Sequence, residues 1–153
     1  MKIANICYIV NKKGKVLLQH KSRGFGKGKW NGPGGKVEPN ETIEESVKRE
    51  VLEETGLRIK DMEKRAVLEY LFKNNESWNM ECHIFVCSDY EGKEEDKGEG
   101  ELKWFEKDGL PLQEMWDDDK FWLKDVLDGS KRRMRFLFDE KNNLISYKNL
   151  KQN

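Results

Sequence analysis

Cysteine, proline and histidine are scarce in this chain, with three Cys, three Pro and two His among 153 residues. Cys7, Cys82 and Cys87 are odd in number and lack Cys-x-x-Cys spacing, and His20 and His83 stand far apart. Neither a disulfide framework nor a zinc site is indicated, and all five read as structural. Long apolar runs are missing as well: Met1 to Val10 is short and broken by Asn5. Nothing approaches the ~20 apolar residues of a membrane span, so the chain is expected to be soluble, unexported and cytoplasmic. An excess of either charge is also absent, since 29 Lys and Arg balance 29 Asp and Glu. That removes the basic field a long nucleic acid needs, while small charged substrates remain possible. With no internal repeat and no low-complexity linker, residues 1–153 are expected to form a single domain.

What the chain does have is acid at fixed spacing. Charged residues make up 38% of it and 19 of them are Glu. In GKVEPNETIEESVKREVLEETGL, Gly35 to Leu57, the residues Gly35, Glu41, Arg49, Glu50, Glu53, Glu54 and Gly56 stand out. Drawn at random from this composition, that pattern arises in on the order of one chain in a million. Thr42 followed by Glu45 is a capping-box signature, and Gly56 suits the left-handed residue after a last turn, which predicts a helix over Ile43–Thr55. Ile43, Val47 and Val51 then face a core, while Glu50, Glu53 and Glu54 share the adjacent face. Like charges at these spacings repel by ~0.2–0.5 kcal/mol per pair, more where half buried. Arg49 reaches Glu53 but cannot satisfy three carboxylates, and a hard divalent cation such as Mg²⁺ or Mn²⁺ is the economical counter-ion. Upstream, Gly32, Pro33, Gly34 and Gly35 form a turn before Lys36 and Val37 whose missing side chains let peptide groups approach a metal or a phosphate.

These residues resemble the signature of the Nudix hydrolases at every specified position. The resemblance implies hydrolysis of a nucleoside diphosphate linked to another group, with the loop Gly34, Gly35, Lys36 and the helix holding Mg²⁺ on the diphosphate. It also implies Glu50, Glu53 and Glu54 as metal ligands, Glu53 as the favoured base and Arg49 as the residue that orients it. The chemistry agrees, because water attacking phosphorus needs charge neutralisation, alignment and removal of a proton.

Elsewhere, β-rich runs predict strands at Ile3–Val10, Lys15–His20, Arg65–Phe72, Met80–Ser88 and Leu102–Phe105, with a turn at Asn74 and Asn75. Glu91–Glu101 reads as a solvated loop and Met115–Leu127 as a second helix stopped by Gly129. Arg135–Phe138 and Leu144–Tyr147 read as a terminal hairpin across Lys141–Asn143. The expected fold is α+β, an α/β/α sandwich with a mixed sheet between helices, as the Nudix resemblance also implies.

Five Trp is high for this length. Two segments, Arg23 to Gly32 (RGFGKGKWNG) and Met115 to Trp122 (MWDDDKFW), resemble the branch of the family that acts on 8-oxo-purine nucleoside triphosphates. That likeness implies a base pocket lined by Asn31, Trp116, Asp118 and Asp119, with Phe25 in its wall, Lys21 near the nucleotide and Glu99 as an additional metal ligand. Aromatics stack on bases, and Asn31, Asp118 and Asp119 can read base edges by hydrogen bonds. Of Trp104, Trp116 and Trp122, two are expected to be core. Two adjacent carboxylates disfavour double ionisation, so one of Asp118 and Asp119 is expected to keep a proton and donate while the other accepts. The chain departs from the branch at Asp117 in place of a proline, Pro33 in place of an aromatic, and Ile6 in place of a hydroxyl residue. The expected activity is Mg-dependent hydrolysis of oxidised purine triphosphates to monophosphate and pyrophosphate. A broader nucleotide pyrophosphohydrolase, a non-catalytic regulatory module and an RNA 5′-end processing enzyme are the alternatives.

Overall fold

The computed structural model describes residues 1–152. In chain order these form β1 (Lys2–Ile9), β2 (Val16–Lys21), β3 (Trp30–Asn31), β4 (Gly34–Lys36), α1 (Ile43–Thr55), β5 (Arg58–Phe72), β6 (Met80–Glu91), β7 (Gly100–Phe105), α2 (Leu123–Leu127), β8 (Arg132–Phe138) and β9 (Leu144–Asn149). Six strands make a mixed sheet in the order β4-β1-β6-β5-β8-β9, and β3-β2-β7 make a second, smaller one. The pairs β1–β6 and β5–β8 are parallel and the remaining pairs antiparallel.

Side-chain alternation along the strands divides the interior in two. From β1 and β6, Cys7, Ile9, Phe85 and Cys87 pack with Val47 and Val51 of α1 and with Leu57. From the same strands, Ala4, Tyr8, Cys82 and Ile84 pack on the opposite side with Trp122, Leu123 and Val126 around α2 and with Phe136 of β8. The large sheet therefore lies between α1 and the α2 segment, the expected sandwich. The three cysteines are buried and free.

Several boundaries differ from those the sequence predicts. Helix Ile43–Thr55 is reproduced residue for residue, but the second helix is not. Over Met115–Leu127 only a 3-10 turn at Asp119–Phe121 and the five residues of α2 are helical. The Asp118 carboxylate instead accepts from the Trp122 indole N–H at 2.7 Å and from the Tyr70 hydroxyl at 2.8 Å. Aspartate that bonds locally competes with helix formation. Strand β5 begins at Arg58 rather than Arg65, with register shifts across its charged first half. The predicted loop Glu91–Glu101 loses its ends to β6 and β7, and the terminal hairpin is longer than expected, turning at Asn142 with φ 64°.

Candidate active site

The site is built on α1 and on the short strand that precedes it. Thr42 and Glu45 make both bonds of the capping box, at 2.8 and 3.1 Å, and Gly56 ends the helix at φ 80°. Val47 and Val51 are fully buried, each such burial contributing roughly 1.5–3 kcal/mol. This pins the helix rotation, so the face carrying Glu50 and Glu54 is turned toward β4.

Strand β4 pairs antiparallel with β1, Gly34 opposite Ile6 and Gly35 opposite Asn5. Both glycines are there for space. A Cβ on Gly34 would collide with the backbone carbonyl of Asn5, and one on Gly35 would lie 2.6 Å from Cδ of Glu50. The Glu50 carboxylate thus sits directly on side-chain-free backbone, where only glycine admits it.

Arg49 organises the remaining acids. Its guanidinium grips Glu41 through two N–H groups, at 3.0 and 2.7 Å, and donates from Nη1 to Glu50 at 2.8 Å and to Glu53 at 3.2 Å. The sequence links Arg49 to Glu53, whereas its tightest partner is Glu41. The Arg49 guanidinium, helped by the Glu38 backbone N–H, holds the Glu41 carboxyl down at about 2, and the same bonds raise the pKa of Arg49.

Glu54 is the opposite case. Burial, then the neighbouring Glu50 carboxylate, pushes its pKa up to about 9, although the Gly34 N–H approaches it at 3.4 Å. A buried carboxyl beside another in an all-oxygen setting is what a hard divalent cation relieves. Glu50, Glu53 and Glu54, with the bare backbone of Gly34 and Gly35, fit such an ion chemically. Among the described residues no three Asp, Glu, His or Cys side chains stand ready around one point. Arg49 lies between Glu50 and Glu53, and Glu99 is engaged by Arg23 at 2.9 Å and Lys21 at 3.9 Å.

Glu54 and Gly35 also line a cleft of about 260 Å³. Of the residues singled out in the sequence, Lys21, Phe25, Asn31, Gly34, Gly35, Lys36 and Trp116 line it. Asn31 Oδ1 accepts from the Tyr8 hydroxyl at 3.1 Å and the Gly32 N–H at 2.9 Å. Its amide N–H groups remain free to donate. The Phe25 ring stacks on Trp116 with centroids 5.1 Å apart, and Lys29 Nζ lies 5.3 Å from the Trp116 centroid.

Asp118 and Asp119 do not belong to the wall. Both are buried beyond it, reached through Tyr70, a lining residue that bonds Asp118. Asp118 Oδ1 and Asp119 Oδ2 nevertheless have no hydrogen-bond partner in the protein. Burial raises the proton affinity of both, and for Asp119 the charge of Asp118 raises it further.

The sequence did not mark Tyr70, Asn5 or Gln19 as site residues. All three line the cleft, and Asn5 and Gln19 each keep one buried polar atom without a partner. A lone amide inside the apolar runs KIANICYIV and VLLQHK was the available signal. Among the three tryptophans, Trp122 is fully buried, Trp104 packs half-buried against the α1-side core, and Trp116 faces the cleft.

The NUDIX domain family model matches residues 2–126, from β1 through the carboxylate helix to α2. The chain belongs to the Nudix family. It is 42% identical over 129 residues to the oxidized purine nucleoside triphosphate hydrolase of Danio rerio, covering 84% of this chain and 80% of that one. To the Mus musculus protein of the same name it is 38% identical over 133 residues, covering 87% and 85%. The crystal structure of the mutator MutT protein from Bacillus halodurans matches with a TM-score of 0.85 at 30% identity, covering 97% of each chain. Nudix hydrolases generally use divalent metal ions, which agrees with the all-oxygen donor set on the Nudix helix. No helix among the described residues is long and apolar enough to cross a membrane.

Proposed function

We propose that this Nudix protein hydrolyses oxidised purine nucleoside triphosphates, such as 8-oxo-dGTP, to the monophosphate and pyrophosphate with Mg²⁺, Mn²⁺ substituting. One observation carries the reading: a single cleft is lined both by Glu54, Gly34 and Gly35 and by Asn31, Phe25 and Trp116. The first set suits a polyphosphate with its metal and the second a purine, and the relatives named for oxidised purine triphosphates support the same assignment.

The bound metal supplies neutralisation of phosphate charge and a more acidic water. Glu50 and Glu54, with the Gly34 and Gly35 backbone, would hold it. Glu53, with 58% of its side chain exposed and Arg49 donating to it, takes the proton as water oxygen bonds to phosphorus and the bridging P–O bond breaks toward pyrophosphate. Lys21, Lys36 and Lys29 bring positive charge to the cleft wall, and Glu99 adds a carboxylate held by Lys21 and Arg23. Around the base Trp116 and Phe25 stack and Asn31 donates, while Asp118 and Asp119 lie buried beyond Tyr70, whose hydroxyl donates to Asp118.

The deciding experiment compares kcat/KM for 8-oxo-dGTP, dGTP, 2-hydroxy-dATP, ADP-ribose and a triphosphorylated RNA end, and identifies the released product. Preference for the oxidised purines with pyrophosphate release is expected. Equal rates on dGTP would sink the assignment.

A further inference from the structure

Strand β2 presents one of its two faces to the cleft. In an antiparallel pair, residues directly opposite share a face and successive residues alternate. Gln19 stands opposite Asn31 of β3 and Leu102 of β7, while His20 stands opposite Trp30. The His20 and Trp30 rings lie 4.9 Å apart on one face, where Val16, Leu18 and Trp30 join the α2-side core. The opposite face carries Leu17 and Leu102, which pack toward the α1-side core, together with Gln19, Lys21 and Asn31. Gln19, Lys21 and Asn31 are the three residues of this small sheet that line the cleft. The side chain of Gln19 therefore points to the cleft with its two neighbours.

Gln19 is only 1% exposed, and its Nε2 has no hydrogen-bond partner in the protein. A buried donor without an acceptor is costly, and such groups call for an explanation. Asn5, the other amide of the cleft lining with an orphaned atom, is tied to α1, because its Nδ2 donates to Ser46 Oγ at 2.9 Å. The N–H of Gln19 has no such tie. The last torsion of an amide side chain is broad, so the group can turn toward the cleft with its backbone fixed. Its neighbours narrow what it meets there. Asn31, across the ladder, belongs to the base, while Lys21, two residues on, lies 3.9 Å from Glu99 and shares the cleft wall with Glu54.

We propose that Gln19 is a further substrate-binding residue: its amide N–H donates to an oxygen of the phosphate nearest the sugar, beside the Lys21 ammonium. In a nucleotide that phosphate and the sugar lie between the base and the outer phosphates, as Gln19 lies between Asn31 and Lys21. A phosphate offers acceptors only and carries charge, which suits a bare donor next to a cation better than a sugar hydroxyl does. The contact supplies the acceptor that the protein itself withholds from Nε2. Removing the amide then acts with opposite sign on the two states. The free protein loses an unsatisfied buried donor, and the complex loses a bond to a charged group.

The inference rests on a purine nucleotide occupying the cleft, and its test separates the two. Binding of 8-oxo-dGMP, dGMP and the nucleoside 8-oxo-deoxyguanosine is measured by calorimetry without metal, beside thermal melts of the free protein. Gln19→Met keeps the length of the unbranched side chain and removes the amide; Gln19→Leu is the second variant, should the first fail to fold. Wild type is expected to bind 8-oxo-dGMP more tightly than its nucleoside. In a folded variant that advantage should shrink about tenfold, the size of a hydrogen bond to a charged group, while the Tm of the free protein stays level or rises. A glutamine that served only the packing would lower Tm and weaken nucleoside and nucleotide alike, and that result would overturn the proposal. So would folded variants that keep the wild-type advantage, or a wild type that has none. If wild type binds dGMP as tightly as 8-oxo-dGMP, the preference for oxidised purines falls while the Gln19 contact is still read from the phosphate. If wild type binds no purine ligand, both fall together.

Discussion

At the scale of single residues, the site is governed by which acid each cation holds. Glu41 is the clearest case, because its bond to Arg49 is available only while it is ionised. Its carboxyl sits at about 2 in the folded protein against 4.5 for the free group. The stability it contributes is therefore present above 4.5 and lost as pH falls through about 2. Glu41→Gln is expected to melt below wild type at neutral pH, the gap closing as melts are run toward about pH 2. Arg49 would also lose its anchor, so kcat should fall together with stability. Glu53→Gln should behave differently. Its side chain is largely exposed and holds nothing in the core, so folding is retained. The turnover number is expected to drop by roughly 10²–10⁴-fold, the range of a lost general base. Unchanged turnover in Glu53→Gln would move that role to another glutamate.

At the scale of elements, the contact between β4 and α1 is the sensitive joint. A methyl at Gly35 would meet only the Glu50 carboxylate, a movable end, whereas one at Gly34 would meet the main chain of β1. Gly35→Ala is expected to keep its melting temperature nearly unchanged and lose metal-dependent turnover. Gly34→Ala should destabilise the fold by ~1–3 kcal/mol, as overpacking does; calorimetric melts beside rate measurements separate the two. How far such elements could be read in advance depended on their length and on where their bonds went. Helix Ile43–Thr55 was legible because its cap, apolar stripe and terminal glycine agree locally. Trp30–Asn31 and Gly34–Lys36 were not, since two or three residues carry no period, and partners distant in sequence make them strands. The segment after Met115 misled because its apolar spacing looks helical while Asp118 spends its hydrogen bonds on Tyr70 and Trp122. Glu50, Glu53 and Glu54 were visible as spacing alone; the role of Glu41 as the grip on Arg49, and Tyr70 at the back of the cleft, became visible only once strands brought them near.

At the scale of the whole molecule, the two apolar cores on either side of the sheet contain neither the cleft glutamates nor any group that needs a metal to fold. Chelation is accordingly expected to abolish turnover while far-UV circular dichroism stays native, and adding Mg²⁺ back should restore the rate. Nucleotide bound in the cleft should raise stability by about 2.7 kcal/mol at a hundredfold excess over Kd, read as a shift in Tm. A last consequence follows from the parallel pairing of β1 with β6, which sets Lys2 against Met80. Strand β1 is made first, yet its main partner is synthesised only after α1 and β5 are complete. Until then its backbone has just the three residues of β4 to pair with. Such long-range closure is slow and leaves apolar strand surface open to aggregation. A growing chain thus carries every glutamate of the helix long before it has a sheet to hold them, and fragments ending before β6 are expected to precipitate rather than bind nucleotide.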